Sequence, residues 1–110
     1  MIVKLKQEND EYSDLTPGQV YFVIGIEADN YRLLNDKGKP YLYPSETFEI
    51  IEDYEPGDWV TEYGSEGERY SYPLLLNRVG FFEDYFEGDE EVVSLFWHIV
   101  NKRSAHVAWK

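Results

Sequence analysis

The sequence predicts a mainly β domain with one C-terminal helix, on three observations. Aromatic residues make up 17% of the 110 residues, ten of them Tyr, a share that favours strands and half-buried sheet surfaces over helix bundles. The segment Val20 to Glu27 alternates as a strand, and Gly88-Asp89-Glu90-Glu91 opens a run of helical periodicity that ends at Lys102-Arg103. At this length a single domain, 1–110, is expected, since each of two would bury too little apolar surface to be comfortable alone.

Ile2 to Lys6 alternates weakly as a short strand, and the polar run Gln7 to Asp14 reads as a loop. Thr16-Pro17-Gly18-Gln19 is turn chemistry that opens the strongest strand, Val20 to Glu27. Alternation places Val20, Phe22, Ile24 and Ile26 on one of its faces and Tyr21, Val23 and Gly25 on the other; Gly25 signals a bend or a close backbone approach. Asp29-Asn30 is a turn into Tyr31 to Leu34, and Asn35-Asp36-Lys37-Gly38 is a hairpin turn into Pro40 to Tyr43. Pro44-Ser45-Glu46-Thr47 is a single helical turn before a strand over Phe48 to Ile51.

These residues carry a resemblance. Pro17-Gly18-x-Val20-Tyr21-x-Val23, then Tyr31-Arg32-Leu33-Leu34-Asn35-Asp36-x-Gly38, then Tyr43-Pro44-Ser45-Glu46-x-Phe48-Glu49 resemble the small SH3-like β barrels of bacteria. The resemblance covers about residues 16–53. It implies a barrel core there and carries no reaction, since such barrels serve many unrelated functions.

Trp59 to Tyr63 and Arg69 to Tyr72 read as strands joined by the Gly-rich loop Gly64 to Glu68, a hairpin over about 58–72 that extends the barrel; Pro73 ends its second strand. Asn77 to Gly80 is a loop and Phe81 to Phe86 a short helical turn. The main helix is expected over about 89–102, its acidic first turn and basic end both suiting the helix dipole. Its stripe of Val92, Val93, Leu95, Phe96, Ile99 and Val100, with Phe81, Phe82 and Phe86, is expected to cover one side or an open end of the barrel.

Charge narrows the partners. The net charge is −12, which opposes binding to phosphate backbones and anionic membranes and steers a basic protein surface or a cationic ligand inward. The acidity is concentrated: between Lys39 and Lys102 there are fifteen Asp or Glu against Arg69 and Arg78. Cysteine is absent, which removes disulfides, thiol chemistry and Cys-ligated metals. No stretch approaches the roughly 18 apolar residues of a membrane span, and Met1 to Lys6 lacks the run of a signal peptide, so a cytoplasmic location is expected.

Catalytic motifs are not found. His98 and His106 sit in no metal spacing, and the former reads as a partly buried or solvent-edge imidazole, the latter as tail surface. None of Ser45, Ser65, Ser71, Ser94 or Ser104 lies in a nucleophile elbow. The acidic pairs Glu52-Asp53, Glu83-Asp84 and Glu90-Glu91 read as solvated faces, Glu83 to Glu91 does not fit a calcium loop, and Gly64 to Gly67 lacks the Lys a phosphate cradle wants. No catalytic residue, metal ligand or cofactor is therefore assigned.

What remains is Tyr41, Tyr43, Tyr54, Trp59, Tyr63, Tyr70 and Tyr72 interleaved with Glu46, Glu52, Glu55, Asp58, Glu62, Glu66 and Glu68. Aromatic rings supply contact area at small entropic cost and carboxylates accept Arg and Lys, the mixture that seizes a basic protein. Alternation is expected to bury about half of these rings. The expected partner-binding residues are Trp59, Glu62, Tyr63, Glu66, Glu68, Tyr70 and Tyr72. The expected function is a non-enzymatic module that binds a basic protein surface, an immunity- or antitoxin-type inhibitor being one form of it. The alternative is an accessory domain that senses a small ligand between barrel and helix.

Overall fold

The structure, a computed structural model, describes residues 1–7 and 11–108, those after 102 by backbone alone. Of the loop expected over 7–14, residues 8–10 lie outside the described residues, as do residues 109–110 and the side chain of His106. The chain divides into two compact units, Met1–Leu74 and Leu75–Lys110.

The first unit is mainly β, with the strands β1 (Ile2–Leu5), β2 (Val20–Glu27), β3 (Asn30–Leu34), β4 (Pro40–Pro44), β5 (Phe48–Glu52), β6 (Trp59–Tyr63) and β7 (Arg69–Pro73). All pairs are antiparallel: five strands run in the order β4-β3-β2-β1-β5, and β7 joins β2 to β6. A one-turn 3-10 helix, Ser45–Thr47, precedes β5 as expected.

Strand β2 corrects the simple alternation. Tyr21, Val23 and Ile26 enter the core together, while Val20 and Phe22 are each 46% exposed. The cause is a register slip against β3, where Val23 faces Leu33 and Gly25 already faces Arg32. One extra residue there is a β-bulge, and it reverses the facing of everything beyond it. The core these residues join contains Val3 and Leu5 from β1, Leu33 from β3, Tyr43 from β4 and Phe48 from β5.

Two tyrosine–carboxylate clusters fasten the loop between β1 and β2 to the β3–β4 hairpin. The Tyr43 hydroxyl donates to Asp14 Oδ2 at 2.8 Å, and Asn35 Nδ2 donates to the same oxygen at 3.2 Å and to Tyr43 Oη at 3.1 Å. Asn35 Oδ1 meanwhile accepts the Lys37 and Lys39 N–H groups, both at 3.0 Å, and so holds the turn itself. In the second cluster the Tyr21 hydroxyl donates to Asp36 Oδ1 at 2.7 Å and accepts the Thr16 N–H at 2.8 Å, while Thr16 Oγ1 donates to Asp36 Oδ2 at 2.6 Å.

The second unit contains α1 (Phe81–Phe86) and α2 (Glu90–Ala108). Asp89 lies just outside α2, where its Oδ1 accepts the N–H groups of Glu91 and Val92, both at 3.1 Å, an acidic cap at the positive end of the helix. The helix runs past the expected end at Lys102 because no Gly or Pro follows to stop it before Ala108. Val92, Phe96 and Val100, four residues apart, are buried. Phe96 meets Tyr85 and Phe82 of α1 edge-on, with centroids 4.8 and 6.0 Å apart. Phe86, expected in this stripe, is instead half-exposed.

Gly25 answers to both meanings its sequence position suggested, since it borders the bulge and the Tyr72 ring closely approaches its backbone. A Cβ at residue 25 would fall 2.1 Å from Tyr72 Cε1. Gly25→Ala therefore drives the Tyr72 ring off the sheet and is expected to lower stability by about 1–3 kcal/mol in urea unfolding. An unchanged midpoint would mean that the ring is not held there.

Candidate protein-binding surface

The hairpin β6–β7 is where the expected binding residues gather, and its ladder decides which of them share a face. Val60 lies opposite Tyr72 and Glu62 opposite Tyr70, while Trp59, Thr61 and Tyr63 lie opposite Pro73, Ser71 and Arg69. Directly opposed residues point the same way, so Glu62 and Tyr70 share one face and Tyr63 and Arg69 the other. Glu66 sits in the connecting loop, exposed. The expected set is thus split over two faces and a tip.

Three of its members do other work. Tyr72 is buried at 6% exposure, not presented to solvent. Its hydroxyl accepts from Arg32 Nε at 2.6 Å and donates to Glu27 Oε2, the oxygen that also receives Arg32 Nη2 at 2.9 Å. Arg32 Nη1 donates to the Pro40 carbonyl at 2.6 Å. Docking of β7 against the end of β2, Ile26 opposite Ser71 and Glu27 opposite Tyr70, brings these groups together. Trp59 packs against the core of the first unit and is half-buried. Glu68 curls back over its own loop, accepting the Glu66 N–H at 3.0 Å, with its carboxylate where a Cβ of Gly64 would stand.

Glu62, Tyr63, Glu66 and Tyr70 remain on the surface, Tyr63 at 71% exposure. Tyr54, in the segment leading to β6, is 62% exposed between Asp53 and Glu55. Of the other rings in the expected mixture, Tyr41 is outside and Tyr43 inside. Arg69 ties Glu55 to the hairpin through its Nη2 and reaches Ser71 Oγ with Nε at 2.8 Å. The Glu55 hydrogen bond is the main reason the Arg69 guanidinium holds its proton more firmly than usual.

Other chemistry-bearing groups lie apart from this surface. His98 is exposed on α2, beside Glu90, Glu91, Ser94 and Leu95 around a shallow open depression of about 570 Å³. A second shallow depression, about 750 Å³, lies along Lys4 to Gln7 and Phe48 to Ile50. Among the described residues no three Asp, Glu or His side chains gather as metal ligands, and no helix is long and apolar enough to cross a membrane.

The buried Arg32–Tyr72–Glu27 network escaped sequence reasoning, although Arg32 between Tyr31 and Leu33 in a core strand is itself a signal. A guanidinium there must find a carboxylate. Burial pushes the Tyr72 phenol well above its ordinary value of 10.0, the Arg32 charge opposing and Glu27 adding to the shift. Tyr43 is raised in the same direction, chiefly by burial. A group whose folded pKa lies above its unfolded value contributes stability that is complete below the unfolded value and is lost as the pH climbs toward the folded one. Urea unfolding is therefore expected to show stability falling as pH rises past 10.0. Tyr72→Phe should lower stability at neutral pH by about 1.5–3 kcal/mol and flatten that alkaline fall. An alkaline profile identical to wild type would remove Tyr72 from this role.

Comparison of the chain with protein-family models, curated proteins and solved structures returned no match to any of the three.

Proposed function

We propose that this chain is a non-enzymatic protein-binding module that meets a basic protein surface through the β6–β7 hairpin and the acidic segment leading into it. The observation that carries the reading is one of placement. Glu62, Tyr63, Glu66 and Tyr70 stand exposed on a hairpin that β7 anchors to β2, and Tyr54 stands exposed beside Asp53 just before it. Rings on a fixed support offer contact area at little entropic cost, and carboxylates around them accept Lys and Arg.

A net charge of −12 strengthens the reading, because long-range attraction raises the association rate with a basic partner. Within this class, an immunity- or antitoxin-type inhibitor covering the basic surface of an enzyme fits best. That form of inhibition needs only a rigid acidic face. The strand order β4-β3-β2-β1-β5 with a one-turn helix before β5 supports an SH3-like barrel as the scaffold behind it.

The test is affinity capture from the native host, followed by binding measurements on the purified pair. A basic partner whose affinity falls steeply with salt is expected, with Glu62→Lys and Glu66→Lys together weakening it by about tenfold or more. Binding that ignores both salt and charge reversal would overturn the reading.

A further inference from the structure

We propose that β6 receives an extended segment of the basic partner as an added antiparallel or parallel strand, so that recognition runs through main-chain hydrogen bonds as well as side chains. This rests on the protein-binding reading above and specifies its mode. The first unit ends in three strand edges, at β4, β5 and β6, and they differ in how they are protected.

Strand β4 begins and ends with proline, Pro40 and Pro44, and proline blunts an edge by withholding the donor a new strand needs. Strand β5 carries a bulge, because Ile2 faces Glu52 while Val3 faces Ile50, which leaves Ile51 as the extra residue; a bulge twists an edge away from a would-be neighbour. Strand β6 has neither device. Its five residues pair with β7 in unbroken register and include no Pro and no Lys. Thr61, Glu62 and Tyr63 are all exposed.

The hydrogen-bond parity fixes which groups are on offer. The Gly64 N–H donates to the Glu68 carbonyl at 2.8 Å beyond one end of the ladder, and the Leu74 N–H donates to the Asp58 carbonyl at 3.0 Å beyond the other. In an antiparallel pair, residues alternate between exchanging bonds with the partner strand and turning their N–H and C=O away from it. Counting inward from both ends, Val60 and Glu62 bond to β7, and Trp59, Thr61 and Tyr63 face the open edge. The Trp59 N–H is taken by the Pro56 carbonyl at 3.1 Å. The Thr61 and Tyr63 N–H groups and the carbonyls of all three residues have no partner among the described residues, which makes a template one strand wide.

Charge selects the occupant. A second copy would bring one acidic edge against another, between two chains each of net charge −12. A strand bearing Lys or Arg at alternate positions instead lays cations beside Glu62 on one face, while its other residues lie against the exposed Tyr63 ring on the other face.

The probe is a synthetic peptide of alternating Lys and Val, titrated into the ¹⁵N-labelled full chain and followed by amide shifts and hydrogen exchange. The Thr61 and Tyr63 amides are expected to shift most and to gain exchange protection, with a Glu–Val peptide inert. Thr61→Pro removes an outward donor and spares the main-chain ladder to β7, at the loss of the 2.8 Å hydrogen bond between the Thr61 and Ser71 hydroxyls, and should weaken the peptide by about tenfold. If that variant does not fold, a peptide N-methylated at alternate residues should lose the same factor against the wild-type chain. No shift at Thr61 and Tyr63 up to about 1 mM peptide overturns strand addition, as does equal binding by the blocked and unblocked forms. A captured basic partner that binds Thr61→Pro normally yet responds to Glu62→Lys would overturn strand addition and leave the hairpin reading standing. Indifference to both substitutions overturns both.

Discussion

The arrangement of the first unit depends on one buried cation. Arg32 stands in β3, between β4 and β2, and its guanidinium is met by the Tyr72 hydroxyl, the Pro40 carbonyl and the Glu27 carboxylate. Those partners come from β7, β4 and β2, so a single side chain binds the last hairpin to the sheet. A buried ion pair of this kind adds little net stability over an apolar replacement, but its geometric demands are strict. Here the demand is met only if β7 takes one register against β2 and residue 25 has no side chain. The network therefore specifies where the hairpin sits more than how stable it is.

That fixed position is what the proposed binding surface rests on. Tyr72 and Trp59, on opposite faces of the hairpin, are withdrawn from solvent and hold it down, and Glu68 closes its loop. Glu62, Tyr63, Glu66 and Tyr70 are then presented on a support whose ordering has already taken place, so the proposed partner would not have to supply that entropy on binding. The alternation of β6 separates the duties further: side chains of Glu62 and Tyr63 point to opposite faces, and main-chain groups at Thr61 and Tyr63 point along the edge.

Much of this was legible in the sequence. Every strand, the 3-10 turn at Ser45–Thr47 and the two helices appear where alternation, turn residues and an acidic helix start placed them, because those signals are local; a second 3-10 turn, Leu74–Leu76, was not foreseen. The facing of β2 beyond Val23 was not, since a bulge is set by the register with Leu33 and Arg32 and leaves no mark in β2 other than Gly25. The burial of Tyr72 was hidden for a related reason. Its partners, Arg32 and Glu27, lie 40 and 45 residues away, and an alternating hairpin looks the same whether its inner ring meets solvent or a guanidinium. The end of α2 was misplaced at Lys102 because basic residues favour a helix terminus without enforcing one.

The same separation bears on how the chain reaches this state. The hairpins β3–β4 and β6–β7 each close over short loops and can form early and independently. Placing Tyr72 against Gly25 and Arg32 instead requires a long loop to close first, at an entropic cost that later contacts repay. The slow event in folding is then expected to be the arrival of a preformed hairpin at a sheet whose guanidinium, already held by Glu27 and Pro40, lacks the Tyr72 hydroxyl.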